Sequence, residues 1–528
     1  MGVAGLWSLV MWFFKDKKKK AAKDGEQVIA EPKNSGVATA IAAVAAIIGI
    51  LIPLQMVSQT WDDHDRSGRT AARDFGRNYL SSVAPNGIIF CNGDNDTFPL
   101  WYLQEVEGYR TDVRAVNLSY LSTDWYISQM QRAAYESAPL PMQAGKDTYA
   151  YDNRQFCYFV QPDDTPTEAS KSIAHVYSKE SQNNPYGITE IHYPKVYIPI
   201  NADQAIKAGV VREEQRDMIE PTINLDLQRM GSGMTSSQFM SFDMIVNSIA
   251  QGWNRPCYFA MTVPDSSYLG LDPYLRLTGL VYQVTPIASP DIRVSTDIMY
   301  DNVVNKFLWG GLDKAKPGKL YLDETVSRMV TTMRSALIDL ASNLSNEGTM
   351  AKAGNLAIPA DMTQEAYVAY RYKKARHILD LMLEKLPTSV CPFTVQMGEQ
   401  IADIYYNLGM ASGDNECVKK GKEILDSEIL RYAGYLRFYQ SLDASQYDRL
   451  TNLDKFIDQQ YMLYMLNGYG ERYGDNAYQK IMGELQAKGV NMERLRSYQK
   501  MYQRSQSYRE APQEEESSIN LDEALGND

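Results

Sequence analysis

A chain of 528 residues is longer than one hydrophobic core usually organises, so two or three domains are expected. Its 53 basic and 65 acidic residues leave a net charge of −12, which argues against a nucleic-acid partner. Five cysteines (Cys91, Cys157, Cys257, Cys391 and Cys417) lie far apart with no CxxC, which is neither a disulfide framework nor a metal-ligand spacing. An odd number leaves at least one thiol free, and most of the five read as small buried apolar residues.

Residues 1–14 are apolar but too short to span a bilayer, and their positive charge follows the apolar run instead of preceding it as in a signal peptide. With Trp7, Trp12, Phe13 and Phe14 ahead of Lys15, they read as the cytoplasmic half of a spanning helix. Residues 15–36 form a lysine-rich loop. Between Lys33 and Asp62 no charge occurs, and residues 37–57, VATAIAAVAAIIGILIPLQMV, have the length of a transmembrane helix. The ten Ile, Leu and Val residues in that run favour insertion. At roughly −0.3 to −0.6 kcal/mol each they contribute about −3 to −6 kcal/mol. The lysines place residues 15–36 in the cytoplasm, so everything after Val57 is expected on the far side, the periplasm in a bacterial cell.

The stretch 58–312 reads as an α/β domain. Arg69–Leu80 has helical spacing, Pro85-Asn86-Gly87 is a turn, and Ile88–Cys91 is a short buried strand. The loop Gly93–Phe98 follows, with Pro99 expected as the first helical residue, Asp96 or Thr97 as its cap and Gly108 as the stop. Val113–Leu118 is a second strand, and Thr123-Asp124 opens a helix through Glu136. Strand, helix and strand at this spacing predict a βαβ unit with a parallel pair. Further strands are expected at Phe156–Val160, Lys195–Ile200, Cys257–Val263 and Leu280–Val284, with an amphipathic helix over Ser236–Gln251. The polar Gln161–Pro194 section reads as a long loop.

From about residue 320 to 508 only helical periods occur: 323–344, 364–386, 395–410, 416–439, 453–469 and 478–506. Ile401–Gly409 with Cys417–Leu430 has the small-and-aromatic spacing of a tetratricopeptide hairpin, without a strict 34-residue period. A helical-hairpin array is expected. The acidic tail 509–528, with Glu514-Glu515-Glu516, reads as disordered. The fold class is therefore membrane-anchored α/β followed by all-α.

Two acidic stretches are the candidate sites. Asp62, Asp63, His64, Asp65, Arg66 and Arg69 lie at the membrane exit; Asn92, Asp94 and Asp96 follow a strand's carboxyl end, where α/β sheets place ligands. Oxygen-rich loops of this kind could hold a divalent cation, while no other cofactor is evident. The arginines could pair with phosphate, and the carboxylates with sugar hydroxyls. No nucleophile–base arrangement and no phosphate-cradling glycine loop can be built from the spacing.

At the same stretches the sequence becomes specific. WDDHDRSGRTAARDFGRNYL (61–80), NGDNDTFPLWYLQEVEGYRTDVRAVNLSYLSTDWYISQM (92–130) and RPCYFAMTVPDSSYLGLDPYLRLTGLVYQVTP (255–286) resemble a family of multi-spanning membrane proteins of Bacteroidota, protein O-mannosyltransferase-like. The resemblance covers residues 1 to about 310 and implies a membrane glycosyltransferase drawing on a polyprenyl-phosphate-linked sugar. The family's multi-spanning N-terminal region, with its presumed catalytic acid, has no counterpart in this chain. The expectation is a periplasmic C-terminal portion that assists donor or acceptor positioning, with a companion multi-spanning chain supplying the chemistry. The alternative is a non-catalytic, membrane-anchored binding or scaffold module.

Overall fold

The computed structural model describes residues 35–65, 68–160, 163–289, 293–316, 320 and 322–500. The expected half-helix over 1–14, most of the basic loop over 15–36, Arg66 and the tail over 509–528 lie outside them.

Helix α1, Ser35–His64, is 30 residues long, and its Ala42–Trp61 section is long and apolar enough to cross a membrane. Ile47, Ile50, Leu51, Leu54 and Met56 are all exposed along it, so no protein core covers this face. The helix overruns the expected end at Val57 by about two turns. Nothing between Val57 and His64 breaks it, and the hydroxyls of Ser58 and Thr60 bond back to the carbonyls of Gln55 (2.8 Å) and Met56 (2.7 Å). Asp62, Asp63 and His64 are therefore its last turn, a correction to the loop expected there.

Helix α2, Ala71–Ser81, leads into strand β1, Ile88–Cys91. Helix α3, Asp94–Glu105, carries the chain to β2, Arg114–Asn117, which pairs parallel with β1 as the βαβ reading predicts. Helix α4, Asp124–Met130, stops six residues before the expected Glu136. The chain beyond it is drawn in to cover the buried Arg114, whose guanidinium donates to the carbonyls of Arg132 (3.0 Å) and Ser137 (3.3 Å).

Strands β3 (Phe156–Phe159), β4 (Thr167–Glu168), β5 (Thr189–Ile191), β6 (Lys195–Pro199), β7 (Thr222–Asp226) and β8 (Gly233–Thr235) make two three-stranded sheets, ordered β5-β3-β8 and β4-β6-β7. The expected loop at 161–194 thus holds two strands and helix α5, Ala169–Tyr177. Its apolar positions Ala169, Ile173 and Val176 have helical spacing, but polar neighbours dilute the pattern and packing decides.

Helix α6, Ser236–Ala250, opens on a capping box formed by Thr235 and Gln238. Strand β9, Cys257–Ala260, then inserts parallel beside β1, and β10 (Leu275–Leu277) and β11 (Val281–Val284) complete the main sheet antiparallel, in the order β10-β11-β9-β1-β2. Parallel β2, β1 and β9 bring their carboxyl ends to one edge.

Helix α7, Thr296–Asn305, joins this unit to the helical region. There α8 (Glu324–Lys352) pairs with α9 (Gln364–Lys385), and α10 (Met397–Ser412) with α11 (Asn415–Ser441). The residues between Asn452 and Leu466 form a helix with a π-helical turn at Ile457–Tyr461, and α12 spans Asp475–Ala487. One contiguous set of buried side chains runs from Phe75 in α2 to Cys417 in α11, and a second serves the last helices. At the junction Asp297 of α7 accepts from Arg371 (2.7 Å) and Lys374 (3.0 Å) of α9, and Thr296 donates to Glu347 of α8 (2.8 Å).

The α10–α11 hairpin closes on Gly421, where an added Cβ would sit 2.7 Å from the Ala402 carbonyl and 3.1 Å from the Tyr406 nitrogen. Both are backbone atoms and cannot step aside. Gly421→Val is expected to cost about 2 to 3 kcal/mol by overpacking, read as a lower urea midpoint. An unchanged midpoint would show that the helices do not meet this closely.

Candidate functional site

The carboxyl ends of β1, β2 and β9 frame a polar edge. Gly93 turns the chain from β1 into α3 at φ +78°, a left-handed conformation that favours glycine, so the helix begins at Asp94, a full turn before Pro99. Asp94 and Asp96 occupy its first turn, where the helix dipole favours negative charge. The expected cap assignment is therefore corrected: Gly93 caps, and Asp96 turns inward. Pro99 is tolerated inside the helix, where it packs against Gly76 of α2, 2.9 Å from where a Cβ would stand.

Asp96 is buried and receives the hydroxyl proton of Thr262, two residues beyond β9. Because that proton is committed, the phenol of the fully buried Tyr79 donates to Thr262 (3.2 Å). Burial pushes the Asp96 carboxyl up to about 6, with the Thr262 hydroxyl pulling the other way. Burial, and then the neighbouring Asp96, push the Tyr79 phenol well above its ordinary value, so it stays protonated.

Beside this chain of hydroxyls lies a second hub. Thr97 donates to the Gly93 carbonyl (2.8 Å), and its oxygen accepts from the Asn117 amide (3.0 Å) and lies 3.2 Å from the Cys91 sulfur. Asn117 in turn accepts from the backbone N–H groups of Ser119 (2.8 Å) and Tyr120 (3.3 Å), fixing the loop after β2. Burial pushes the Cys91 thiol up to about 12, which leaves it an inert packing group.

Beside these groups Asn92 and Asp94 are exposed, as is Thr262. Asn92 accepts from the Ser119 hydroxyl (2.8 Å), and Tyr120 reaches the Asp94 carboxylate at 3.4 Å. The structure therefore brings Asn92, Asp94 and Asp96 to one edge. The membrane-exit residues have other neighbours. Asp65 is exposed, and the chain from Gly68 to Ala71 packs against Gly310, Gly311 and Leu320. Among the described residues no group of three His, Cys, Asp or Glu side chains comes together to hold a metal ion.

The sequence reading missed Tyr79, Asn117, Ser119, Tyr120 and Thr262. Asn117 carried a signal, since it ends the second parallel strand much as Asn92 follows the first. Thr262 and Tyr79 carried none, because only the insertion of β9 beside β1 makes them neighbours of Asp96.

These features define a class: a mixed α/β unit with a polar strand-end edge, preceded, among the described residues, by one helix long and apolar enough to cross a membrane. Residues 72–303 match the family model described as TMEM260-associated domain 2. That match takes in all but the first residue of α2, the whole β-sheet edge and all but the end of α7. No curated protein and no solved structure matches the chain.

Proposed function

We propose that this chain is the extracytoplasmic portion of a membrane glycosyltransferase system, protein O-mannosyltransferase-like and dependent on a polyprenyl-phosphate-linked sugar. Helix α1 anchors it in the cytoplasmic membrane, and the α/β unit stands in the periplasm. The strand-end edge positions donor or acceptor while a companion multi-spanning chain carries out the transfer. One observation carries this reading: two exposed acceptor side chains, Asn92 and Asp94, held beside the buried Asp96 and Tyr79, which the exposed Thr262 hydroxyl links, at the carboxyl edge of parallel strands. Arg66 and Arg69, which follow the membrane exit in the sequence, would pair with a lipid phosphate.

Asp94→Ala is expected to abolish complementation of a deletion strain while thermal stability stays within about 1 kcal/mol, because the side chain is exposed. Full complementation by that variant would overturn the reading.

A groove of about 590 Å³ among α8–α11, lined in part by Val368, Tyr372, Lys373, Arg376 and Leu408, supports a second reading, an anchored scaffold that grips a partner protein. In that case function survives Asp94→Ala.

A further inference from the structure

We propose that the same edge carries an aromatic platform for neutral saccharide, formed by Phe98, Trp101, Tyr120 and Trp125; the proposal rests on the reading above and gives its ligand a chemical class. These four rings come from α3, from the loop after β2 and from α4, and the βαβ crossover sets them in one row. Successive centroids are 5.7 Å (Phe98–Trp101), 6.1 Å (Trp101–Tyr120) and 6.1 Å (Tyr120–Trp125) apart, with Trp101 and Tyr120 within 21° of parallel. The outer rings are far from buried: Phe98 is 48% and Trp125 52% exposed. Other aromatics of the domain are exposed singly, such as Tyr151 and Tyr186, but here exposed rings join one contiguous row, and a contiguous apolar patch marks a binding surface.

The polar groups along the row choose the ligand. Tyr120 places its phenol against the Asp94 carboxylate, and Asn92 stands beside Ser119 on the same loop. Two acceptors therefore line the row, and none of the hydrogen bonds or ring contacts made by these six side chains involves a Lys or Arg. A phosphate or an acidic peptide would meet like charge at Asp94, and among the described residues no Lys or Arg is bonded to Asp94 to offset it. A pyranose presents an apolar C–H face to the rings and hydroxyl donors to the carboxylate and amide, which satisfies both halves of the surface. Asn117, which holds the Ser119 and Tyr120 amides, is a positioning residue for the platform.

The test titrates the full-length chain in detergent with neutral hexasaccharides of glucose, mannose and N-acetylglucosamine, following intrinsic tryptophan fluorescence. Saturable binding of at least one is expected. Phe98→Ala, Trp125→Ala and Asp94→Ala should each weaken it by about tenfold or more with unchanged thermal unfolding, using calorimetry where a tryptophan is removed. If none of the three binds, the proposal is overturned. It is equally overturned if brominated lipid in nanodiscs quenches Trp125 while no hexasaccharide binds, since the row would then be a membrane contact. Binding that leaves transfer in cells unaffected by Asp94→Ala would keep the platform and sink the transferase assignment. Loss of transfer without any saccharide binding would do the reverse.

Discussion

Arg334→Ala is expected to cost about 3 to 5 kcal/mol, the largest single loss in the helical region. Arg334 sits on α8 with none of its surface exposed, and its guanidinium donates to the carbonyls of Leu386 (2.8 Å), Cys391 (2.6 Å) and Pro392 (3.2 Å). It also lies over the Phe393 ring, 4.9 Å from the centroid. Leu386 closes α9, so its carbonyl is one of those a helix end leaves without a partner. Truncation strands three carbonyls at once and opens a cavity between α8 and the turn that follows α9. Lysine can bond these carbonyls only as a point charge, without the planar fork, so Arg334→Lys should recover only part of the loss. Urea unfolding of the solubilised chain measures both; a change under about 1 kcal/mol for alanine would refute the account.

Asp96→Asn is expected to have the opposite sign and a pH signature. Burial raises the Asp96 carboxyl to about 6 in the folded chain, above the ordinary aspartate range near 4. The folded state therefore holds its proton more tightly than the unfolded state. The stability this contributes is complete below about pH 4 and is lost as pH rises through about 6. At pH 8 the native carboxylate is ionised in a poorly solvated place, and asparagine should be more stable than the native residue by about 3 kcal/mol. At pH 4 the two should melt together. Asp243, also raised to about 6 by burial, is common to both proteins, so it cancels in the difference. A pH-independent difference would show that Asp96 does not titrate in this window. If the edge binds ligand as proposed, the more stable variant should also be the less functional one, the usual consequence of keeping a strained polar group at a working site.

Much of the fold can be read from residue order. Ile88–Cys91 is the predicted strand to the residue, and β2 lies inside Val113–Leu118, because four buried positions in a row between turn residues have few other solutions. Helix α6 was legible from the apolar spacing of Phe239, Phe242, Ile245, Val246 and Ile249. The start of α3 was misplaced because Pro99 and Asp96 advertise a helix start that Gly93 makes one turn earlier. Helix α5 was missed because a nine-residue helix amid polar, proline-rich sequence is stable only through its packing.

The sequence by itself determined what is local: an uncharged apolar run long enough to cross a bilayer, the βαβ unit, the succession of helices, and the concentration of acceptors in residues 92–96. Only the tertiary structure decided which of those acceptors turns inward and what surrounds the rest. Asp96 meets Thr262 and Tyr79, and Phe98 and Trp101 meet Tyr120 and Trp125, because parallel pairing aligns strands with long stretches of chain between them. The hydrophobic periodicity that fixes each strand leaves its choice of partner open; burying a shared core settles that choice.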